Sequence, residues 1–378
     1  MRMNQNRSVI VFEPDLKGHR LEYIHHIYIG ALNSDRTFHF VLSPLFNDVK
    51  DKFEWPGSDN ISIHILEDEE QRIFSAGNGI KAFYNKYRII KKYASHYKAT
   101  IIFLVMLIQY LPIIPLFLFS KIKFVGIIYR IYLYNWKKDA LKKKISEVIK
   151  WSLLSKISSV AKAFILNDSS ASVYLNKKYS TSKFAYLPDP YSQITYKAKD
   201  KREDLGIDEQ NKIFLHFGGL TRRKGTIDIL DSLFKLNDEE KKHYTFIFAG
   251  EVYKDIKDEF YSKYNKLKDS INILLFDEFC SYEFLNDLCY TCDCILIPYH
   301  NTNQSSGIIS YAAYYNKPVI GPANGLLGKI IRKYHLGITI EDLSAINNYY
   351  CCKFTKTENQ YIESHTVTEF STTIINSL

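Results

Sequence analysis

The C-terminal half of the chain contains a basic run with glycines, directly after an apolar stretch: Phe217-Gly218-Gly219-Leu220-Thr221-Arg222-Arg223-Lys224-Gly225. Lys224 would place an ammonium group at the start of the next helix, and Arg223 could add a bidentate contact to a phosphate. Cations in this position stabilise the negative charge that grows on a phosphate leaving group. Taken alone, the run fits a solvated basic turn better. Later motifs favour the phosphate-binding interpretation of Lys224. For Arg223 both interpretations, phosphate binding and a solvated turn, stay open.

A second candidate site is the segment Ser305-Ser306-Gly307, which begins a predicted helix over residues 307–315. Free backbone N–H groups and the helix dipole favour an anion at a helix N-terminus, and a glycine allows a phosphate to come close. The two serines could instead cap the helix. Capping and phosphate binding are compatible, so both interpretations stay open.

The N-terminal half offers weaker candidates. Lys17-Gly18-His19 follows the first predicted strand, where Gly18 would allow close approach of a phosphate or an acceptor and His19 could donate a hydrogen bond. An isolated histidine is as often structural. Arg130 follows another predicted strand and could contact an acceptor phosphate.

Strand-like apolar runs alternate with helical patterns through both halves of the chain, which predicts doubly wound α/β domains with mainly parallel sheets. We predict an N-terminal domain over residues 1–190 and a C-terminal domain over residues 191–340. Residues 341–378 are expected to pack back on the N-terminal domain. Ligands of such sheets collect at the carboxyl ends of the strands, so a cleft between the domains is expected to hold the site.

The apolar segment 101–120 admits two interpretations. Its length fits a membrane span. However, Pro112 and Pro115 interrupt it, and Ile101-Ile102-Phe103-Leu104-Val105 is typical of a buried parallel strand. We therefore predict a strand, a short helix and a second strand over residues 124–129.

Charge and cysteine usage narrow the class of protein. The formal net charge is +9, but residues 81–162 contain 17 Lys or Arg against Asp139 and Glu147, a local net of +15. Such a block indicates an anionic partner of the N-terminal half: anionic lipid, nucleic acid or a phosphorylated substrate.

The six cysteines form no evenly spread framework, which fits a reducing cytoplasm, and a zinc site at Cys289, Cys292 and Cys294 is disfavoured.

The motifs of the C-terminal half, taken in order, resemble those of glycosyltransferase family 4. They are the run from Phe217 to Gly225, then Phe248-Ala249-Gly250-Glu251, Cys292-Asp293-Cys294-Ile295-Leu296-Ile297-Pro298-Tyr299, Ser305-Ser306-Gly307 and Asn316-Lys317-Pro318-Val319-Ile320-Gly321. The resemblance implies the GT-B fold, two Rossmann-like domains facing a central cleft. It also implies a set of donor-binding residues: Gly18, His19, Gly219, Arg223, Lys224, Glu251, Ser305, Ser306, Gly307 and Ile308.

The sequence departs from the family pattern at the paired glutamates that many members carry, whose positions hold Asn303 and Tyr311. Gly219 stands where an arginine is common. Gln304-Ser305-Ser306-Gly307 resembles a variant subgroup. No carboxylate can be assigned as the catalytic base, so the catalytic residue is unknown and His19 is the one weak candidate.

The resulting prediction is a cytoplasmic, peripheral-membrane hexosyltransferase-type enzyme. It would transfer sugar from a UDP- or GDP-type nucleotide sugar to a glycan or lipid-linked acceptor in cell-surface polysaccharide synthesis. The commoner subgroup implies retention of anomeric configuration. No metal or other cofactor and no nucleic-acid partner are expected. Three alternatives remain: a non-catalytic GT-B subunit that partners another transferase, a GT-B sugar epimerase, and a nucleic-acid-binding protein supported by electrostatics alone.

Overall fold

The computed structural model describes residues 8–17, 19–77, 79–136, 139–191, 196–300, 302–352 and 360–378. The chain divides into two compact units. Unit 1 comprises Met1–Pro190 and Thr366–Leu378, and unit 2 comprises Tyr191–His365. Within the segment 341–378, residues 366–378 therefore belong to unit 1 and residues 341–365 to unit 2.

Unit 1 contains a seven-stranded parallel sheet with strand order β3-β2-β1-β4-β5-β6-β7. Its central strands are apolar and fully buried, because helices cover both faces of a parallel sheet. The strand order reverses between β1 and β4, which is the switch point where doubly wound sheets bind ligands. The strands are β1 (Val9–Glu13), β2 (Phe38–Leu42), β3 (Ile61–Ile65), β4 (Ile101–Leu104), β5 (Lys123–Ile128), β6 (Val160–Leu166) and β7 (Phe184–Leu187).

Unit 2 repeats this plan with a six-stranded parallel sheet of order β10-β9-β8-β11-β12-β13. Its switch point lies between β8 and β11. The predicted fold class, α/β with two doubly wound Rossmann-like domains, is confirmed. The strands are β8 (Lys212–Phe217), β9 (Tyr244–Ala249), β10 (Asn272–Phe276), β11 (Cys294–Leu296), β12 (Val319–Pro322) and β13 (Gly337–Ile340).

Helices cover both faces of each sheet. The α-helices of the described residues are α1 (Arg20–Ala31), α2 (Phe46–Val49), α3 (Asp68–Ser75), α4 (Ile80–His96), α5 (Leu141–Lys156), α6 (Ser169–Tyr179), α7 (Thr226–Leu233), α8 (Asp238–His243), α9 (Lys257–Leu267), α10 (Tyr282–Thr291), α11 (Gly307–Tyr314), α12 (Gly325–Lys333), α13 (Gln360–Ser364) and α14 (Val367–Ile375). Short 3-10 turns lie at Lys50–Lys52, Leu107–Tyr110, Ile114–Phe117, Tyr132–Asn135, Arg222–Lys224 and Leu343–Tyr349.

The two faces of the unit 1 sheet have different covers. Apolar side chains of α1 and α14 pack on one face. Those of α4, α5, α6 and the turns over residues 107–117 pack on the other. The C-terminal helix α14 thereby completes the core of the first unit.

The apolar segment 101–120 forms strand β4 followed by the two 3-10 turns at Leu107–Tyr110 and Ile114–Phe117. Prolines restrict helix formation here, as expected. The strands β4 and β5 match their prediction, and the intervening short helix is a pair of 3-10 turns. Among the described residues no helix is both long enough and apolar enough to cross a bilayer.

Candidate functional site

The loop after β8 takes a conformation that its glycines make possible. Gly218 and Gly225 have φ values of +79° and +74°, a region in which side chains are strained. A Cβ on Gly225 would lie 2.1 Å from the carbonyl oxygen of Pro298. The Thr221 hydroxyl accepts a hydrogen bond from the Lys224 N–H at 3.3 Å, which closes the 3-10 turn. The loop is therefore held tightly against the end of β11 in front of α7.

Lys224 lies partly buried in this loop, and its side chain folds back over the end of β8. Its Nζ is 3.5 Å from the Phe217 carbonyl oxygen and would lie 2.6 Å from a Cβ on Gly218. Burial, with Arg223 beside it, lowers the pKa of Lys224 to about 8. Within the described part of the chain no carboxylate comes within 4.0 Å of this ammonium group. Lys224 is therefore a partly desolvated cation, which an anionic ligand would stabilise.

Tyr299 lies close to both predicted cations of unit 2, Arg223 and Lys224. Its ring centroid lies 5.8 Å from Lys224 Nζ and 5.9 Å from the Arg223 guanidinium carbon. The Arg223 carbonyl accepts a hydrogen bond from the His300 N–H at 3.0 Å. The structure thus brings Arg223 and Lys224 within cation–π distance of the same aromatic ring.

The Tyr299 hydroxyl points into a buried polar environment near α11. Burial raises the pKa of Tyr299 to about 12, and the neighbouring Ser306 hydroxyl and Arg223 offset part of that rise. Ser306 lies outside hydrogen-bond geometry, and no other described group makes a hydrogen bond to the Tyr299 hydroxyl. Ser306 is the N-cap residue of α11, and its side chain caps no N–H of the described helix. The helix start thus lies beside a buried, unsatisfied hydroxyl.

The remaining predicted residues of this helix start differ in exposure. Ser305 and Ser306 are half-buried, Gly307 is exposed and Ile308 is buried in the unit 2 interior. Ser305 and Gly307 thus present polar backbone at the helix start. Ile308 contributes packing.

Gly219 and Glu251 lie on neighbouring backbone segments. The Leu220 N–H donates to the Glu251 carbonyl at 2.8 Å, and the Tyr253 N–H donates to the Leu220 carbonyl at 3.1 Å. A Cβ on Gly219 would lie 2.7 Å from the Tyr253 ring. Glu251 acts on the loop through its backbone, and its side chain is exposed.

The positions of the paired glutamates hold different chemistry. Asn303 is buried, and Tyr311 packs edge-on against Phe217 with ring centroids 5.6 Å apart. Tyr311 also contacts the Tyr191 ring at 5.9 Å. An aromatic side chain therefore lies at the end of β8, at one of the two positions where many members of the family that the motifs resemble carry a glutamate.

Sequence reasoning did not identify the residues that hold this loop. His216 is buried on β8, with Nδ1 2.9 Å from the Leu296 carbonyl oxygen and Nε2 3.0 Å from the Thr226 hydroxyl. Burial lowers the pKa of His216 to about 4, so it is neutral and links β8, β11 and the start of α7. His300 Nε2 lies 2.7 Å from Asp228 Oδ2. No local pattern marks these residues, because their partners are distant in sequence.

The described candidates of unit 1 are His19 and Arg130. Gly18 lies outside the described residues. His19 is exposed at the start of α1, with Nδ1 3.3 Å from Glu22 Oε2. Arg130 is exposed two residues after β5. The roles predicted for Gly18, His19 and Arg130 stay predictions.

A pocket of about 1090 Å³ lies within unit 1, beside the loops that follow β1, β2, β3 and β4. Its wall mixes both charges with aromatic rings: Asp15, Lys17, Arg20, Asp48, Asp68, Arg72, Lys86, Phe74, Phe83 and Tyr110. Sequence reasoning did not find this pocket, because four separate loops build it and none carries a motif.

Glu13 contacts two residues of the pocket wall, Asp15 and Arg20. It is 1% exposed at the end of β1, and its Oε1 accepts hydrogen bonds from the Asp15 N–H at 3.0 Å and from Arg20 Nη1 at 3.2 Å. Its Oε2 is buried without a hydrogen-bond partner among the described residues. Burial raises the pKa of Glu13 to about 7, against the lowering effect of Arg20. Arg20 also pairs with Asp15 Oδ2 at 2.9 Å, so the guanidinium is fixed at the pocket wall.

The cysteines are all reduced. Cys289, Cys292 and Cys294 are buried among apolar groups. Among the described residues no three His, Cys, Asp or Glu side chains are grouped so that they could hold a metal ion.

No protein-family model and no curated protein sequence matches the chain. Solved structures do. The structure of Anabaena HepE in complex with UDP and glucose covers 98% of this chain and 95% of its own, with a TM-score of 0.62 and 14% identity. WaaG, a glycosyltransferase involved in lipopolysaccharide biosynthesis, gives a TM-score of 0.60 at 13% identity, covering 97% of this chain and 95% of its own.

A third similar structure is the UDP-forming α,α-trehalose-phosphate synthase of Burkholderia vietnamiensis. Its TM-score is 0.67 at 8% identity, over 98% of this chain and 100% of that one. At such identities the likeness defines the fold alone. The chain thus has the GT-B fold, with two Rossmann-like domains.

Proposed function

We propose that this chain is a glycosyltransferase that transfers a sugar from a nucleoside-diphosphate sugar to a glycan or lipid-linked acceptor in the synthesis of a cell-surface polysaccharide. The observation that carries the proposal is Lys224. It is a partly buried ammonium group at the switch point of a doubly wound sheet, and no described carboxylate balances its charge. The resemblance of the motifs from Phe217 to Gly321 to glycosyltransferase family 4 supports the same assignment.

The proposed chemistry follows from where charge develops. When the bond between the sugar and the diphosphate breaks, negative charge grows on the departing phosphate oxygen. Lys224 and Arg223, which both lie within 6 Å of the Tyr299 ring centroid, would stabilise that charge. The N–H groups at the start of α11 and the Ser306 hydroxyl would bind the other phosphate oxygens. Because Lys224 is already desolvated, its attraction to the diphosphate is stronger than that of a surface lysine.

The donor is proposed to be a UDP- or GDP-sugar. Among the similar structures, HepE was solved with UDP, with UDP and glucose, and with UDP-glucose. This supports a uridine nucleotide as the first ligand to test. No added cofactor or metal is proposed, because Lys224, Arg223 and the helix start supply positive charge without one.

The acceptor is proposed to bind in the unit 1 pocket. Carboxylates such as Asp15 and Asp68 accept hydrogen bonds from sugar hydroxyls, guanidinium groups such as Arg72 donate them, and the Phe74 ring offers an apolar surface. This mixture suits a glycan. Arg130 remains a proposed contact for an acceptor phosphate, and His19 a proposed contact for donor or acceptor.

Two further parts of the proposal concern outcome and place. The reaction is proposed to retain anomeric configuration, as in the commoner subgroup of the family that the motifs resemble. It is proposed to take place on the cytoplasmic side of the cell membrane, in peripheral contact with anionic lipid, which the local net charge of +15 over residues 81–162 supports. Nuclear magnetic resonance of the product would report the anomer directly.

The first test measures donor binding by thermal shift with UDP-, GDP-, ADP- and dTDP-sugars. A ligand that binds only the folded protein at 100 times its Kd stabilises it by about 2.7 kcal/mol. We expect one nucleotide class to raise the Tm of the wild type. Lys224→Ala should abolish the shift. Lys254→Ala, which removes an exposed lysine of the same unit, should preserve it.

The second test separates enzyme from binding subunit. Release of nucleoside diphosphate from the identified donor, measured with and without glycan acceptors, should be detectable and should fall with Lys224→Ala. Tight donor binding without hydrolysis or transfer would favour a non-catalytic subunit, an alternative motivated by Asn303 and Tyr311 at the positions of the paired glutamates. A shift that Lys224→Ala leaves intact would contradict the proposed donor site.

A further inference from the structure

Exposed apolar side chains are concentrated on one face of unit 1. Helix α5 carries five of them, Leu141, Ile145, Val148, Ile149 and Leu153, of which Leu141 is 73% exposed. The neighbouring α4, α6 and turns over residues 114–119 add more on the same side of the sheet. On the opposite side, no described residue of α1 or α14 is an exposed large apolar side chain. The distribution is therefore one-sided.

The five residues of α5 lie on one side of the helix, and we name this set the α5 stripe. Their spacing of three, four and one along the sequence places them on one side of a helix. The other side of α5 already packs on the core through Trp151 and Leu154, both fully buried. The stripe is therefore surplus to the folding of unit 1, and a contiguous exposed apolar surface of this kind marks an interaction site.

Positive charge flanks the α5 stripe. Helix α5 contains five lysines against Glu147, and α4 contains five Lys or Arg without an acidic residue. Within α5, Glu147 pairs with Lys150 at 2.5 Å. Lys142 and Lys156 are exposed and make no ion pair with a described residue. Apolar and cationic groups thus alternate around the outer half of one helix.

This combination selects among anionic partners. A helix with lysines beside an apolar stripe fits the interface of a bilayer, where apolar side chains enter the acyl region and lysines meet headgroups. The phosphates of a nucleic acid would pair with the lysines but would not bury Ile145 or Ile149. A protein surface could cover the stripe, but protein interfaces are depleted in lysine, so the excess of positive charge does not favour a protein partner.

We propose that the α5 stripe and its flanking lysines dock unit 1 on a membrane that contains anionic lipid, with α5 lying in the plane of the interface. The proposal deepens the peripheral contact in the proposed function by assigning it to a surface. It depends on neither the donor site nor catalysis, so the two can fail separately. A docked α5 would bring unit 1 to the surface where a lipid-linked acceptor resides.

The experiment is flotation of the purified full chain with vesicles of phosphatidylcholine, with and without phosphatidylglycerol. We expect binding only when phosphatidylglycerol is present. Ile145→Gln/Ile149→Gln should weaken binding about tenfold or more, because it removes apolar groups from the acyl region. Gln keeps good helix propensity. Lys142→Gln/Lys156→Gln should weaken binding by about fivefold for each charge removed, with a shallower salt dependence.

Two controls make the result specific. Phe234→Gln/Phe279→Gln removes exposed apolar side chains from unit 2, 47% and 88% exposed, and should leave binding unchanged. Lys224→Ala should also float as the wild type does. Far-ultraviolet circular dichroism and Tm verify that each variant is folded.

Three outcomes would overturn the proposal. The first is wild-type protein that fails to float with anionic vesicles. The second is equal loss of binding in the unit 2 control. The third is binding to duplex DNA that requires the lysines and prevents flotation. If Ile145→Gln/Ile149→Gln does not affect this DNA binding, the surface binds nucleic acid.

Discussion

The two units of this protein share a sheet topology but place opposite charges at its switch point. In unit 1, β1 ends in the buried carboxyl group of Glu13, which Arg20 partly balances. In unit 2, β8 ends in Phe217, and the glycine loop returns the unbalanced ammonium group of Lys224 to the same place. The topology thus supplies a ligand-binding edge twice, and a few residues after the first strand of each unit decide which ligand the edge attracts.

The largest expected effect in unit 2 comes from changing the shape of the loop after β8. Gly225→Ala would place a Cβ 2.1 Å from a backbone oxygen at a φ of +74°, and we expect a loss of about 3 kcal/mol in the free energy of unfolding. Nucleotide binding should fall with it, because Lys224 moves with the turn. Chemical denaturation and thermal shift measure the two effects.

Gly206→Ala is the matched control for that variant. Gly206 has a similar φ of +63°, but a Cβ there meets nothing within 4 Å. It should cost about 1 kcal/mol and leave nucleotide binding intact. If Gly225→Ala is as mild as this control, the close approach to Pro298 does not hold the loop.

Removing the unbalanced charge of Lys224 should change both stability and donor binding. At neutral pH, Lys224→Met should raise the free energy of unfolding by about 1 kcal/mol while abolishing donor binding, because a partly buried cation without a counter-ion costs stability. In the wild type, the pKa of Lys224 is about 8, below the unfolded value of 10.5. Between these values the unfolded chain binds more protons, so wild-type stability should rise with pH relative to the variant.

Chemical denaturation at several pH values from 7 to 10.5 measures that slope. Lys254→Met, at an exposed lysine, serves as the control. A variant that is less stable than wild type at pH 7 would show that Lys224 has an internal partner, and the case for an anionic ligand would fail.

The units also differ in how far their sites could be predicted. The strands followed from apolar runs: β4 and β5 lie within one residue of their predicted bounds, because burial on both faces leaves a clear signal. The helix predicted over residues 307–315 is α11 (Gly307–Tyr314). The loop around Lys224 carries a local motif and could be found.

Other parts of the sites have no local signal. Tyr299 and His216 matter through partners such as Lys224 and Leu296, which lie far away in sequence. The unit 1 pocket joins four loops, and Glu13 resembles any other residue at the end of a strand until its burial is known. Such features depend on tertiary packing, which a single sequence does not reveal.

Unit 1 should respond to pH in the opposite sense to unit 2. The pKa of Glu13 is raised to about 7 from 4.5. Between these values the folded protein binds more protons, so wild-type stability should fall as pH rises through this window. Glu13→Gln lacks this titration and should be more stable than wild type at pH 8 by about 1 kcal/mol, after allowance for the lost attraction to Arg20.

The control is Asp15→Asn, which removes a half-buried carboxylate that also pairs with Arg20. It should keep the wild-type slope between pH 4.5 and 7. Equal slopes in wild type and Glu13→Gln would show that burial does not raise the pKa of Glu13, and the predicted pH response of unit 1 would be wrong.

The smallest expected effect on stability separates a helix cap from a ligand contact. In unit 1, the Asp168 side chain accepts from the Ala171 N–H at 3.0 Å and caps α6, so Asp168→Ala should cost about 1 kcal/mol. In unit 2, Ser306 makes no cap to the described N–H groups of α11. Ser306→Ala should therefore change the free energy of unfolding by less than about 0.5 kcal/mol yet weaken donor binding by about fivefold. If Ser306→Ala instead lowers stability as Asp168→Ala does and spares binding, the serine caps α11, and the diphosphate must bind through Lys224 and Arg223 without that hydroxyl.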